Sequence, residues 1–219
     1  MEGQILLIDK PAGITSHDVV DRIRRIYKTR KVGHAGTLDP FATGLLILGV
    51  NGATKELGKL TGLDKSYRAT AMLGTTSTTL DPEGTLTVTS ETAYTRPGQK
   101  DIESAIVQLV GTFEQQAPIY SAKKVGGKKL YELARKGLGD TVERPKKQIT
   151  IHTARLISFT WPELVFEVSC SSGTYIRVIA EDIGKALGCG AYLTALRRLS
   201  IGTYDLKDAK TLEQLGWKP

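Results

Sequence analysis

The chain has 219 residues, of which 40% are hydrophobic and 24% are charged, and its formal net charge is +7. This composition is ordinary for a globular protein with a substantial core. No apolar run is long enough to span a bilayer, and the first residues lack the segments of a signal peptide, so we expect a cytoplasmic protein. Cys170 and Cys189 lack the spacing of a zinc site and are expected to be reduced and buried.

In chain order, the first predicted elements are strands separated by a helix. Apolar residues predict a strand at residues 4–8, followed by a helix that either Thr15 or Ser16 caps at its N-terminus. The apolar run at residues 45–50 predicts a buried strand. Apolar residues with a period of two at residues 67–73 predict a further strand.

The second half of the chain continues this irregular alternation. Residues 81–84 have the chemistry of a turn between two strands, and Asp101 is placed to cap a helix. Residues 149–159 and 164–170 are predicted to be paired strands, and residues 174–187 an amphipathic helix. The order predicts an α/β (α+β) fold in which a mixed, largely antiparallel central sheet is flanked by helices and loops.

One acidic residue, Asp39, lies between a glycine-rich segment and the apolar run. Gly33 and Gly36 favour tight backbone geometry there, and Pro40 restricts the backbone directly after Asp39. A carboxylate held ahead of a rigid strand is a candidate nucleophile or general base. In the alternative interpretation Asp39 bonds its own loop backbone in an Asx-turn, and local chemistry alone favours that alternative.

Residues 33–46 resemble the catalytic motif of the TruB family of tRNA pseudouridine synthases, whose single essential aspartate matches Asp39. Further matches cover nearly the whole chain in the family's order: Lys10-Pro11-Ala12-Gly13, Lys65-Ser66-Tyr67-Arg68-Ala69, Asp81-Pro82-Glu83-Gly84, Pro118-Ile119-Tyr120-Ser121-Ala122-Lys123-Lys124, Gly173-Thr174-Tyr175-Ile176-Arg177 and Leu196-Arg197-Arg198-Leu199. Several motifs in register are difficult to explain by chance.

The resemblance implies the pseudouridine synthase fold and an enzyme that isomerises the T-loop uridine at tRNA position 55 to pseudouridine. This reaction breaks the C1′–N1 bond, rotates the uracil and rejoins it through C5, so the base must first be flipped out of its stack. The reaction needs no metal or redox cofactor. The implied partner is the tRNA T arm, and we expect a monomer with no membrane association and no obligatory protein partner.

The resemblance also implies roles for individual residues. Asp39 is the catalytic carboxylate, which either adds covalently to the substrate or removes a proton to give a glycal. Tyr67 stacks on the target uracil, and Arg177 pairs with the aspartate and keeps it ionised. The alternatives are a half-buried strand tyrosine with its hydroxyl in water, and a surface arginine that pairs with Glu181.

Three further residues match substrate-binding positions of the family. His34 matches the histidine that fills the gap left by the flipped nucleotide, and Tyr175 and Leu196 match positions that line the pocket. A lone loop histidine is otherwise a neutral residue bonded to backbone, and ordinary core residues would look like Tyr175 and Leu196. Lys10 either supports the active-site loop or is a solvated lysine at a turn.

Positive charge is concentrated in two segments, at about residues 120–147 and at residues 22–31. Such segments suit a polyanion whose phosphates release counterions on binding, although either one alone is more often a solvated face. With the resemblance, we interpret the first segment as a basic insertion that contacts RNA. Its expected contacts with the RNA backbone are Lys123, Lys124, Lys128, Lys129 and Arg135.

The chain departs from many relatives at its end. Those relatives carry a further RNA-binding domain, the PUA domain, after the catalytic core, whereas this sequence stops at Pro219. We therefore expect a single catalytic domain over residues 1–219 without a PUA domain. Its affinity for RNA should then rest on the insertion and be sensitive to salt.

Two other classes of function remain as alternatives. A non-catalytic RNA-binding protein on the same scaffold has no need of Asp39, Tyr67 and Arg177 together. A glycoside hydrolase needs a second carboxylate close to Asp39, and the sequence offers only Asp64 and Glu181 as candidates.

Overall fold

A computed structural model describes residues 3–89 and 94–218. Its strands are β1 (Gln4–Lys10), β2 (Val32–Ala35), β3 (Thr43–Val50), β4 (Lys65–Leu73), β5 (Thr75–Ser77), β6 (Leu86–Val88), β7 (Gly111–Gln116), β8 (Lys124–Val125), β9 (Lys128–Lys129), β10 (Lys146–Thr160), β11 (Glu163–Cys170), β12 (Ala191–Ile201) and β13 (Tyr204–Asp205). Its helices are α1 (Ser16–Ile26), α2 (Leu57–Thr61), α3 (Gln99–Val107), α4 (Leu130–Ala134) and α5 (Ile176–Ala186).

By its internal contacts the described chain forms two compact units. One contains residues 3–68 and 195–218, and the other contains residues 69–194. The chain passes from one unit to the other within β4 and again within β12. That residues 1–219 behave as a single domain stays a prediction, which one cooperative unfolding transition would support.

The first unit is built around β3, which has partners on both edges. β1 runs antiparallel along one edge, from the Gln4–Val50 pair to the Lys10–Gly44 pair. The other edge pairs with antiparallel β2 at one end and with parallel β12 at the other. β3 is therefore enclosed in the sheet, and the loop that precedes it ends at a rigid element.

Both faces of β3 are buried, which explains its continuous apolar sequence. Leu46 and Leu48 pack in one hydrophobic cluster with residues of α1 such as Ile23. Leu45 and Ile47 belong to a second cluster on the opposite face. The strand predicted at residues 45–50 is confirmed.

Helix α1 begins directly after Thr15, which is its N-cap. The backbone N–H of Asp18 donates to Thr15 Oγ1 (3.0 Å), and the N–H of Thr15 donates to the Asp18 carboxylate (2.7 Å). These two bonds form a capping box. Of the two predicted caps, Thr15 is the one observed, and Ser16 becomes the first helical residue.

In the second unit the strand order is β12-β4-β11-β10-β7. The long strand β10 pairs antiparallel with β7 over its first half and with β11 over the rest, and α3 contacts β10 and α5. The predicted turn at residues 81–84 lies in the connection between the paired strands β5 and β6. Helix α3 begins at Gln99 with Gly98 as its N-cap, so Asp101 is not the N-cap residue. Asp101 lies in the first turn, where its carboxylate accepts a bond from the Gly98 N–H (2.8 Å).

The predicted fold class is confirmed. Strands and helices are mixed, and the sheet combines antiparallel pairs with the parallel β3–β12 pair. Cys170 and Cys189 are both buried and neither is part of a disulfide, as expected. Within the described part of the chain, no helix is long and apolar enough to cross a membrane.

Candidate active site

Asp39 lies in the loop that connects β2 to β3 and is half-buried. The chain turns at Gly36, whose φ of +89° favours glycine. The Ala42 N–H then donates to the Asp39 carbonyl oxygen (3.1 Å). Gly33, in contrast, lies within β2, so the predicted glycine-rich turn begins only after this strand has ended.

Three buried polar side chains, Lys10, Ser16 and Arg198, hydrogen-bond the backbone of this loop. Ser16 Oγ accepts a bond from the N–H of Leu38 (2.9 Å) and donates one to its carbonyl oxygen (3.1 Å). The two bonds attach the residue before Asp39 to the first turn of α1.

Lys10, the last residue of β1, is fully buried. Its Nζ donates to the carbonyl oxygen of Pro40 (3.2 Å) and to two carbonyl oxygens nearer in sequence. Burial lowers the pKa of Lys10 to about 8; the Arg198 charge also lowers it, whereas the Asp39 carboxylate opposes the shift. Lys10 therefore supports the loop, and the alternative of a solvated lysine is wrong.

Arg198 reaches the loop from β12 and is only 1% exposed. Its Nε donates to the carbonyl oxygen of Leu45 (2.7 Å), Nη2 to that of Gly36 (3.1 Å) and Nη1 to that of Thr37 (3.4 Å). β12 runs so close to β3 here that a Cβ on Gly44 would lie 2.3 Å from the Arg198 carbonyl oxygen. All three guanidinium nitrogens therefore donate hydrogen bonds to the backbone of the loop or of β3.

Sequence reasoning gave Arg198 no role and did not predict β12. A signal was nevertheless present, because alternate residues of a strand share a face. Leu196 matches a pocket-lining position, and Arg198 follows it by two residues, so both belong to one face of β12. Both are buried.

His34 is in β2, opposite Leu48 of β3, and is half-buried. Its Nδ1 is buried without a hydrogen-bond partner in the part of the chain that the structure describes. Burial, and after it the charge of Arg198, lowers the pKa of His34, so its imidazole is neutral at pH 7. The role of His34 at a flipped nucleotide stays a prediction.

Tyr67 in β4 and Leu196 in β12 are both 7% exposed. Tyr67 is therefore buried, and not half-buried as its alternative interpretation had it. Two residues earlier, the buried Lys65 donates from Nζ to the carbonyl oxygens of Thr61 (3.0 Å) and Leu63 (2.6 Å). Stacking by Tyr67 and pocket lining by Leu196 stay predictions.

In the second unit, Arg177 lies at the start of α5 and is 4% exposed. Its Nη1 donates to the Asp81 carboxylate (3.0 Å) and to the Thr79 carbonyl oxygen (2.7 Å), and Nη2 donates to the Tyr120 carbonyl oxygen (2.8 Å). Asp81 is buried as well. This is a buried ion pair, in which removal of one partner leaves the other charge uncompensated.

The alternative of a surface arginine paired with Glu181 is wrong for Arg177. Glu181 instead pairs with Lys185 one helical turn further on (2.9 Å). The pairing of Arg177 with Asp39 stays a prediction.

Tyr175 directly precedes α5, and Gln115 of β7 fixes its backbone. The Tyr175 N–H donates to Gln115 Oε1 (2.7 Å), and Gln115 Nε2 donates to the Tyr175 carbonyl oxygen (3.2 Å). Both residues line a cavity of about 150 Å³ together with Lys123, Lys146 and Lys147. The structure therefore brings Tyr175 together with Lys123, and the lysines favour an anionic ligand at this cavity.

The basic insertion contains the β8–β9 hairpin followed by α4. Lys123, Lys124, Lys128 and Arg135 are exposed, and Lys129 is half-buried. Lys129 and Arg135 lie against the ring of Tyr131, with the charged groups 5.4 and 5.6 Å from its centroid. Contact of this insertion with RNA stays a prediction.

Two carboxylates were candidates for the second acid of a glycoside hydrolase. Asp64 is exposed, and Glu181 pairs with Lys185. Over residues 3–89 and 94–218, no group of three or more His, Cys, Asp or Glu side chains could hold a metal ion.

Among solved structures, the chain is similar to proteins that are about twice as long. A chain of a Cbf5-Nop10-Gar1 complex aligns with a TM-score of 0.73 and 26% identity, over 95% of this chain and 52% of that one. An archaeal box H/ACA sRNP Nop10-Cbf5 complex aligns with a TM-score of 0.68 and 25% identity, over 96% and 52%. This chain thus spans about half the length of those neighbours.

The model of the N-terminal domain of TruB family pseudouridylate synthases matches residues 24–176, and the model of the C-terminal domain of tRNA pseudouridylate synthase B matches residues 177–217. Together with the fold, these matches define a pseudouridylate synthase. Among curated relatives, tRNA pseudouridine synthase B of Syntrophobacter fumaroxidans is 47% identical over 96% of this chain and 68% of its own length. The enzyme of the same name from Syntrophotalea carbinolica is 48% identical with the same coverage. The chain belongs to the TruB family.

Proposed function

We propose that this chain is a tRNA pseudouridine synthase that converts the T-loop uridine at position 55 of tRNA to pseudouridine, with Asp39 as the catalytic carboxylate. One observation carries the proposal: the Asp39 loop is bonded on both sides of the carboxylate by buried side chains. The names of the curated relatives support the substrate.

The reaction is an isomerisation, so it needs no second substrate. The C1′–N1 bond of the uridine breaks, the uracil rotates, and a C1′–C5 bond forms; C5 then loses its proton and N1 gains one. In one route the Asp39 carboxylate adds covalently to the substrate, and in the other it removes a proton to give a glycal. Both routes require a carboxylate held at the sugar, and a loop fixed by backbone bonds provides this.

The remaining site residues are proposed to hold the flipped nucleotide. Tyr67 stacks on the uracil, Leu196 and Tyr175 line its pocket, and neutral His34 fills the gap in the RNA. Arg177 pairs with Asp39 and keeps it ionised in a dry pocket. A bent, single-stranded T loop is the kind of RNA surface from which a base is readily extruded.

RNA phosphates are proposed to bind the basic insertion, through the exposed side chains of Lys123, Lys124, Lys128 and Arg135 and the half-buried side chain of Lys129. The cavity that Lys123 shares with Lys146 and Lys147 supports this position for the backbone. We further propose that the protein acts in the cytoplasm as a monomer without a protein partner. Light scattering of the purified protein, with and without tRNA, tests the monomer directly.

The deciding experiment compares wild type with Asp39→Asn on an unmodified tRNA transcript and on an isolated T-arm hairpin. Pseudouridine has the same mass as uridine, so the product is mapped by its carbodiimide adduct and the resulting stop of reverse transcription. We expect a stop at the T-loop uridine with wild type and none with Asp39→Asn, while both proteins bind the RNA equally well.

Asp64→Asn is the matched control, because it makes the same chemical change at an exposed carboxylate of the same unit. We expect it to retain activity. Substantial activity of Asp39→Asn would overturn the assigned role of this residue. Tight RNA binding by wild type without any stop would instead favour the non-catalytic RNA-binding protein.

A further inference from the structure

We infer that Arg198 is a positioning residue of the reaction: its buried guanidinium joins the two ends of the loop that carries Asp39 and so fixes where the carboxylate lies. The inference rests on the proposed function. Arg198 acts through the backbone of the loop, and its own nitrogens are occupied by that backbone.

The hydrogen bonds of Arg198 fall on both sides of Asp39 in the sequence. Gly36 and Thr37 precede the carboxylate, and Leu45 follows it at the start of the buried part of β3. A guanidinium is planar and presents several donors in a fixed fork, so one side chain can join acceptors from two chain segments. The ten-residue segment from Gly36 to Leu45 is thereby closed at its ends.

The other two supports act inside this segment. Ser16 bonds Leu38, and Lys10 bonds Pro40, so each fixes one residue next to Asp39. Of these three side chains, Arg198 alone hydrogen-bonds to residues at both ends of the segment. The bond from Arg198 to the Leu45 carbonyl oxygen is buried, so loss of the guanidinium leaves that oxygen without this donor in a place that water does not readily reach. The bonds to Gly36 and Thr37 are part-buried.

The charge of Arg198 also reaches the neighbouring groups of the site. Its three acceptors are uncharged carbonyl oxygens, so they do not neutralise it. The guanidinium contributes to the lowered pKa of both Lys10 and His34, in each case after the larger effect of burial. A fixed positive charge therefore lies among the groups that surround the Asp39 loop.

The test uses Arg198→Met, which keeps length and apolar bulk but removes every donor, and Arg198→Lys, which keeps one charged nitrogen. Single-turnover pseudouridine formation at saturating enzyme measures the chemical step, and hairpin binding measures affinity. We expect the rate constant to fall on the order of 100-fold in Arg198→Met, because a small misplacement of a catalytic group has effects of this size. The affinity for the hairpin should change by less than about threefold. The rate constant of Arg198→Lys should be about tenfold higher than that of Arg198→Met.

A second readout separates positioning from a general loss of structure. Amide hydrogen exchange followed by mass spectrometry should be faster in peptides that cover residues 36–45 in both variants. Peptides from α1 and from residues 69–194 should exchange as in wild type. If Arg198→Met does not fold, Arg198→Lys decides the question by the same two measurements.

Arg197→Met is the matched control, since it removes an arginine from the adjacent position of β12. Arg197 bonds the Asp9 carboxylate (2.7 Å) and Thr43 Oγ1 (3.2 Å), and is partly exposed. Its bond to the segment is to the Thr43 side chain and not to the loop backbone, so its loss should leave both the single-turnover rate and the exchange of residues 36–42 unchanged.

Two outcomes would overturn the inference while leaving the proposed function intact. One is a folded Arg198 variant whose single-turnover rate equals that of active wild type. The other is a loss of rate that is accompanied by faster exchange throughout the protein. A wild type that forms no pseudouridine would instead reject the proposed function, so the two failures are distinguishable.

Discussion

Lys10 Nζ donates a hydrogen bond of 3.2 Å to the carbonyl oxygen of Pro40, so a cation from β1 holds the residue that directly follows Asp39. The ammonium group is buried, and burial is the main cause that lowers its pKa to about 8. A structural contact at the candidate site is therefore linked to a titration that can be measured.

The first prediction concerns the dependence of stability on pH. In the unfolded chain Lys10 titrates near 10.5, whereas in the folded protein its pKa is about 8. Between these pH values the unfolded state binds a proton that the folded state has lost, so this group makes the free energy of unfolding rise with pH. The advantage of wild type over Lys10→Met should therefore increase from pH 8 to pH 10.5, as measured by urea unfolding.

Titrations elsewhere in the chain cancel in this comparison, because both proteins contain them. A difference in unfolding free energy that stays constant over this range, or that decreases, would contradict the lowered pKa of Lys10.

The second prediction concerns the basic insertion. Lys124 and Lys128 are exposed on the β8–β9 hairpin. If both contact phosphates, the double variant Lys124→Gln/Lys128→Gln should bind the T-arm hairpin more weakly. The slope of log affinity against log salt should also become shallower by about 1 to 2. Thermal unfolding should be unaffected, because exposed lysines contribute little to stability.

Lys100→Gln/Lys207→Gln is the control for this prediction. It removes the same amount of charge from exposed positions outside the insertion. Equal losses of affinity in the two double variants would indicate a general effect of net charge rather than contacts made by the hairpin.

The third prediction concerns the ion pair of Arg177 and Asp81. Arg177→Met leaves a buried carboxylate without its partner and should lower the free energy of unfolding by about 3–5 kcal/mol. Asp81→Asn removes the opposite charge and should also destabilise the protein. Chemical denaturation of both single variants and of the double variant gives their coupling energy.

Activity distinguishes the two partners. Asp81→Asn retains the guanidinium that is proposed to pair with Asp39, so it should keep most of the single-turnover rate under conditions where it is folded. Arg177→Met should lose much more of that rate under the same conditions. Equal losses would mean that Arg177 acts only through the stability of its unit.

The elements that sequence reasoning found are those whose pattern is local. The run at residues 45–50 is apolar throughout because β3 is buried on both faces, and Thr15 with Asp18 forms a cap within four residues. Gly33 and Gly36 predict tight geometry where the structure has β2 and then a turn. In the structure only Gly36 has a positive φ there, and Gly33 lies in a strand opposite Gly49.

The supports of the Asp39 loop could not be derived from local pattern. Arg198 and Gly36 are far apart in sequence, and only the parallel pairing of β12 with β3 brings them together. Family resemblance identifies Asp39, but resemblance to a motif gives no contacts, so it assigns no role to Arg198. The sequence leaves both interpretations of Lys10 open, because its bonds to the carbonyl oxygens of residues 14 and 40 depend on how the chain folds.

The pairing of β3 with β12 also orders events during synthesis of the protein. Asp39 leaves the ribosome early, whereas Arg198 emerges only after more than 150 further residues have been translated. A nascent chain that lacks β12 therefore contains the carboxylate but not the bonds of Arg198, and contacts between such distant residues form late in folding. Competence for catalysis should accordingly appear only when translation has passed β12.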